Sequence, residues 1–505
     1  MESISYLMDG FAVALTWEHI FLAALGAILG TIIGALPGLG PSNGVAVLIP
    51  IAFTLGLDAT AALILLTSVY YGAMYGGRIS SILLKIPGDE PALMTTLDGY
   101  PMAQQGRAGE ALTISGLASF VGAFVATVGL VFFTPLLVKV ALLFTPAEYL
   151  ALFVLAFATL GGVGSKNQAK SAFAGILGLG IAMIGIDGQT GVARLSFNNV
   201  HLYDGIDFLV VIIGLFALSE LFIFLEERSR ITQQGTIKPV TRLLPDKKTF
   251  LSLWPTMGRG TFLGFIAGVL PGAGASLGSF ISYSLEKRFF DKKKTFGTGD
   301  PRGVAAPEAG NNAAAGGALV PMLALGVPGS GTTAVLLAVL LTLNIHPGPL
   351  LFQKNPDVVW GLIAALFIAN IILLLLNLPM VKMFVKVLQM PLKYLMPAVV
   401  MICFVGIYGL TGSVFELELM IIFGILGFIL RKLNVPLVPV IMGVLLGNLM
   451  EDNLRRALAI SDGDWSILFS SPLAIGLWGF AFVGFILPML FGRFLRPKEV
   501  LKIEE

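Results

Sequence analysis

Two short segments, GALPGLGPSNG at 34–44 and GVLPGAGASLG at 268–278, constrain this chain more than anything else in it. Pro37 and Pro271 stand 234 positions apart, and so do Gly38 and Gly272, Gly40 and Gly274, and Ser42 and Ser276. Each cluster interrupts a long apolar run. Proline removes a backbone donor and glycine tolerates left-handed backbone, so each run must break there. Composition supplies the setting. Of 505 residues, 56% are hydrophobic and 12% charged. That is about half the ~25% charge of soluble domains, too little polar surface to coat a chain of this size in water. Soluble enzymes, nucleic-acid binders and disordered scaffolds are excluded. The chain reads as an all-α polytopic membrane protein.

The repetition goes further. GGRISSILLKIPG at 76–88 matches GGALVPMLALGVPG at 316–329 with one inserted residue, and Tyr100-Pro101 matches His346-Pro347. The expected organisation is an N-terminal segment 1–19, a first membrane repeat 20–225, a cytoplasmic linker 226–259, a second repeat 260–450, and a C-terminal loop, span and tail 451–505.

Lys and Arg orient the two halves. Residues 1–77 contain none, and Arg78 is the first. Residues 226–259 carry seven Lys/Arg against three acids, and 286–302 carry six against three. By the positive-inside rule, both ends of 261–285 face the cytoplasm. A segment with both ends on one side must enter and return, with legs of about 11 residues, or ~16 Å of helix. The first hairpin, near 22–50, then enters from the opposite side. Five apolar stretches lie between them, 58–77, 111–132, 136–162, 168–187 and 206–225, and an odd number inverts the second half. The expected architecture is two inverted-topology repeats with re-entrant hairpins and about 11 spans, the plan of secondary transporters.

Broken helices present N–H groups at one half and carbonyls at the other. The former suit anions, the latter cations. Candidate cation-binding residues are therefore Pro37, Gly38, Gly40, Pro271, Gly272 and Gly274. Candidate substrate-binding residues are Ser42, Asn43 and Ser276 beside those breaks, Asn311 and Asn312 within PEAGNNAAAGG, and Ser330, Thr332 and Thr333 after the Pro328-Gly329 break. The competing reading of the breaks is a proline kink with glycine packing between helices. Glu308 is either an intramembrane carboxylate or a solvated one at the cytoplasmic border beside Arg302. Arg78 fits a cytoplasmic stop signal better than a substrate ligand. Trp17, Trp254, Trp360 and Trp465 read as interfacial anchors. One cysteine and three histidines, far apart, give no metal cluster, and no GxxxxGK[ST] loop is present, so catalytic residues, metals and cofactors are not expected.

GALPGLGPSNG, GVLPGAGAS, APEAGNNAAAGGALVP and GVPGSGTTA, in that order, resemble the large membrane subunit of tripartite tricarboxylate transporters over roughly 20–490. The resemblance implies a secondary, cation-driven importer, typically Na⁺-coupled, of organic anions such as citrate across the bacterial inner membrane. It implies a small membrane subunit and a periplasmic solute-binding protein as partners, and kinship with elevator-type transporters. Energetics point the same way: importing a trianion against ~100 mV inside negative costs roughly 7 kcal/mol before any gradient, which co-moving monovalent cations cancel. Three rivals stay open at this stage. They are a stand-alone carboxylate–cation symporter, an integral membrane enzyme using Glu308 with Asn311, and a passive channel.

Overall fold

In hydrocarbon every backbone polar group must be satisfied inside its own segment, so the apolar stretches form helices. The computed structural model describes residues 2–36, 38–163, 167–227, 245–272, 274–377, 383 and 392–495. In chain order the helices are α1 (Glu2–Ala14), α2 (Trp17–Ala35), α3 (Gly40–Thr54), α4 (Ala59–Leu84), α5 (Leu93–Gln104), α6 (Ala108–Ala141), α7 (Pro146–Val163) and α8 (Gln168–Ala182). A two-stranded hairpin follows, β1 (Gly185–Ile186) against β2 (Ala193–Arg194). Then come α9 (Phe208–Ile213), continued through a π-helical turn into α10 (Ser219–Glu227), α11 (Lys247–Val269), α12 (Gly274–Leu285), α13 (Arg302–Gly317), α14 (Leu319–Leu325) and α15 (Gly331–Thr342). The chain closes with α16 (Leu351–Lys354), α17 (Pro356–Asn377), α18 (Leu392–Thr411), α19 (Val414–Lys432), α20 (Val438–Ile460) and α21 (Pro472–Leu495). Among the described residues five helical segments are long and apolar enough to cross a membrane, and α3 and α15 are apolar but shorter.

Local sequence explains the ends. The Asp58 carboxylate accepts the Ala61 N–H at 2.8 Å and starts α4. Ser330 and Thr333 form a reciprocal capping box on α15. Lys85 (φ 61°) and Gly326 (φ 69°) turn left-handed and stop α4 and α14.

Contacts divide the chain into two compact units, the larger drawn from Met1–Ala141, Leu209–Leu270 and Gly274–Phe428. Two helix seams dominate it. Gly26, Gly30 and Gly34 of α2 lie against the backbone of α4, where an added Cβ would stand 2.4, 2.3 and 2.1 Å from the carbonyls of Leu65, Val69 and Ala73. Gly260, Gly264 and Gly268 of α11 lie in the same way against Ala306, Gly310 and Ala314 of α13, at 2.6, 2.1 and 2.2 Å. Without side chains in between, the backbones touch, which is how membrane helices associate when lipid is as apolar as leucine. Ile79 and Ile82 of α4, Leu112 and Ile114 of α6, and Val304 and Ala309 of α13 share one core beside the seams.

The smaller unit comprises Leu142–Phe208, Pro271–Ala273 and Ile429–Glu505. Within it α8 and α20 cross at Gly178 and Gly443, where a Cβ would meet the Val440 carbonyl at 2.0 Å and the Gly175 carbonyl at 2.6 Å. The β-hairpin is tied to α20 by ion pairs: Arg455 reaches Asp187 at 2.5 Å, and Arg194 reaches Glu451 at 2.8 Å.

The helices differ from expectation at several places. Between α3 and α11 lie α4, α5, α6, α7, α8 and the α9–α10 segment; of these α4, α6 and α9–α10 are long and apolar enough to cross a membrane, and α7 is apolar but shorter. Pro135, however, sits inside α6, which runs on to Ala141, so the following helix begins at Pro146 rather than 136. The α11 arm extends back to Lys247, 23 residues or ~34 Å, longer than the leg inferred from charge, because Pro255 is accommodated inside the helix. Of the expected linker, 228–244 lie outside the described residues. Trp360 is 4% exposed and stacks on Tyr6 instead of anchoring at an interface, whereas Trp17, Trp254 and Trp465 are exposed.

Candidate functional site

The two Pro-Gly breaks have the same backbone. After α2, Leu36 is extended (φ −80°, ψ 121°), Gly38 and Gly40 are left-handed (φ 87° and 58°), and α3 starts at Gly40. After α11, Leu270 is extended (φ −73°, ψ 120°), Gly272 and Gly274 are left-handed (φ 78° and 65°), and α12 starts at Gly274. These glycines occupy backbone that other L-residues rarely adopt. Pro37 lies outside the described residues. The Pro271 carbonyl accepts a hydrogen bond from the Thr159 hydroxyl, and the Gly38 carbonyl accepts one from the Asn43 amide at 3.4 Å. Neither carbonyl is bare.

Each break of this kind meets the later break of the other half of the sequence. Ser42, at the start of α3, has its hydroxyl 3.0 Å from that of Thr332 at the start of α15. Ser276, at the start of α12, donates to Glu90 Oε2 at 3.4 Å, and Ser279 donates to the Pro91 carbonyl at 2.7 Å. Close approach completes the crossing: a Cβ on Gly40 would stand 3.8 Å from Cβ of Asp89, and one on Gly274 would stand 3.7 Å from Cβ of Ser330. Ser42, Thr332, Ser276, Gly40 and Gly274 are thus brought together. The N-cap of α3, Leu39, makes no side-chain cap, so first-turn N–H groups of α3 are left for another acceptor. Ser330 and Thr333 are already engaged in capping α15, a structural task the sequence did not announce.

The asparagine pair divides. Asn312 is 1% exposed and donates to the Glu308 carbonyl at 3.1 Å, a bond within its own helix. Asn311 is fully buried, and both atoms of its amide lack a partner. Unpaired buried amides are uncommon and costly, which makes Asn311 the strongest of the predicted ligands.

Glu308 is not at a solvated border. It is fully buried and accepts hydrogen bonds from Thr95 at 2.6 Å and Ser119 at 2.9 Å. Arg302 instead pairs with Asp300 at 2.7 Å. Arg78 is no stop signal either, being 1% exposed in the interior of α4. Its guanidinium donates to the carbonyls of Tyr75 and Leu112 and to Ser115, each at 2.8 Å, and to Asn377 at 3.1 Å. It serves as an internal cross-brace.

Two residues escaped the sequence reading. Asp89 and Glu90 follow the break directly, in IPGDEP (86–91). Glu90 receives Ser276, and Asp89 is 9% exposed, with Oδ1 accepting the Ala92 N–H at 3.0 Å and Oδ2 unpartnered. Adjacent acids behind a Pro-Gly break in an apolar stretch were a legible signal. No group of three or more His, Cys, Asp or Glu positioned for a metal ion occurs among the described residues.

Apolar helices and interior breaks lined by buried polar groups define a polytopic α-helical membrane protein. Comparison with known proteins narrows the class: the chain belongs to the tripartite tricarboxylate transporter TctA family, whose model matches residues 20–442. It is therefore a member of a transporter family, and an enzyme reading loses its footing. It is 38% identical over 477 residues, 94% of both chains, to an uncharacterized 52.8 kDa protein in the TAR-I ttuC' 3'region of Agrobacterium vitis. It is also 39% identical over 227 residues, 45% of this chain and 94% of the other, to an uncharacterized protein in the TAR-II ttuC' 3'region of the same organism. No solved structure matches the chain.

Proposed function

We propose that this chain is the large subunit of a secondary active, Na⁺-coupled importer of organic anions, tri- or dicarboxylates such as citrate, in the bacterial inner membrane. A small membrane subunit and a periplasmic solute-binding protein complete the machine. The observation that carries this reading is the crossing of broken helices, Ser42 with Thr332 and Ser276 with Glu90. Half-helices ending at membrane depth need a cavity or a ligand, and their N–H ends suit carboxylates. Anion ligands in this scheme are the first turns of α3 and α12 with Ser42, Asn43, Ser276, Asn311 and Thr332. The cation meets carbonyls at the breaks near Gly38, Gly40, Gly272 and Gly274.

The matched glycine seams and the matched left-handed pairs support two inverted repeats, 20–225 and 260–450, about the crossing. An elevator motion fits this plan, since seams without side chains let each helix pair travel as one body. Reconstitution tests the proposal. The chain with its two partners in liposomes should accumulate citrate or a related anion only under an inward Na⁺ gradient. Uptake indifferent to Na⁺ and to membrane potential would overturn the coupling scheme, and robust uptake by this chain alone would overturn the tripartite one.

A further inference from the structure

We propose that Asp89 is a ligand of the coupling Na⁺. This rests on the transport reading above and deepens it. Asp89 follows the Pro87-Gly88 break and lies beside the start of α3, 3.8 Å from where a Cβ on Gly40 would stand, and its Oδ2 is buried without a partner. The charged groups that act on it are Glu308 and Glu90, both acids. The basic side chain of the same break, Lys85, lies over the Tyr100 ring instead, 5.9 Å from its centroid. A carboxylate buried among acids, with no base against it, is stable only with a proton on it or a cation beside it, and the cation is the form a coupled transporter can use.

The surroundings supply the other half of such a site. Gly88 packs so closely on the last turn of α2 that a Cβ there would stand 2.2 Å from the Gly34 carbonyl. That carbonyl is among the last four of its helix, which carry the negative end of the dipole. Gly77 of α4 packs directly against the carboxylate: a Cβ there would come within 2.8 Å of Oδ1 and 3.3 Å of Oδ2, so only glycine lets Asp89 sit this close to the α4 backbone. Carboxylate and carbonyl oxygens at a helix C-terminus suit a hard monovalent cation. An anionic substrate could not take their place: a second carboxylate beside Asp89 would be repelled until a cation lay between them. Na⁺ at Asp89 removes that repulsion.

The test is thermal unfolding of the purified full chain, titrated with NaCl against choline chloride at constant ionic strength and without organic anion. Wild type should be stabilised saturably by Na⁺ alone. Asp89→Asn should lose that response while unfolding in choline no earlier than wild type. Asp89→Glu keeps the charge and guards against misfolding of the first variant; it should shift half-saturation by about tenfold, worth ~1.4 kcal/mol. A wild type without a Na⁺ response, or an Asp89→Asn protein with an unchanged one, overturns the site. The transport reading is judged separately by Na⁺-driven uptake of the wild-type complex. If that persists while Asp89→Asn titrates normally, the site is wrong and the transporter stands.

Discussion

Glu308 and Arg78 lie on neighbouring helices in the same interior, and each is held mostly by neutral partners. Hydroxyls, carbonyls and an amide can satisfy an isolated ion if enough of them point the right way. Removing one charge leaves these donors and the opposite charge stranded. Glu308→Ala should destabilise the chain by about 3–5 kcal/mol, seen as an earlier thermal transition in detergent. Glu308→Gln, which keeps the shape, should cost clearly less. Equal unfolding temperatures for wild type and Glu308→Ala would show that Thr95 and Ser119 find other acceptors. At this scale the sequence was legible in kind but not in partner. An acid among PEAGNNAAAGG signalled a buried group, but Thr95 and Ser119 stand 213 and 189 positions away, and no local pattern brings them together. Arg78 misled because a lone arginine after a long uncharged stretch has the same signature whether it ends a helix in water or braces its middle.

The seams show an element whose sequence signal was present and underread. Gly26, Gly30 and Gly34 recur every fourth residue, as do Gly260, Gly264 and Gly268, and a stripe of that spacing occupies one helix face. Gly264→Ala puts a methyl 2.1 Å from the Gly310 carbonyl, so α11 and α13 must part. A loss of about 1–3 kcal/mol is expected. Gly258→Ala, six residues earlier on α11, meets nothing within 4 Å and should be neutral. Comparable melting of both variants would count against the seam. A different element, the β-hairpin on α20, predicts a pH response. Asp187 is held well below the usual carboxylate range, first by Arg455 and then by the N–H groups of Thr190 and Gln189. A depressed acid contributes stability that is complete above its unfolded pKa of about 3.9 and vanishes as pH falls through the lower, folded value. Hydrogen exchange at 185–194 should therefore stay slow at pH 5 and rise only well below 4. Arg455→Gln should move that rise up into the ordinary aspartate range. An unchanged profile would mean that the hairpin is held by other contacts.

Across the whole molecule, the sparse charges and the 234-residue echo made a helical membrane protein with two broken helices legible before any coordinates. Helix lengths were less so, because α6 and α11 each absorb a proline that the pattern reads as a boundary. The crossing itself was hidden, since Ser42 and Thr332 are 290 positions apart and Ser276 and Glu90 are 186 apart. That separation matters at the ribosome. When the first half of the chain has entered the bilayer, Ser42, Asp89 and Glu90 are in place but Thr332 and Ser276 do not yet exist. The unfinished chain has to hold open helix ends and acids in the membrane until the rest is synthesised. Its biogenesis is then a race between translation and capture by quality control, and slowing synthesis between the halves should lower yield without altering the protein that escapes.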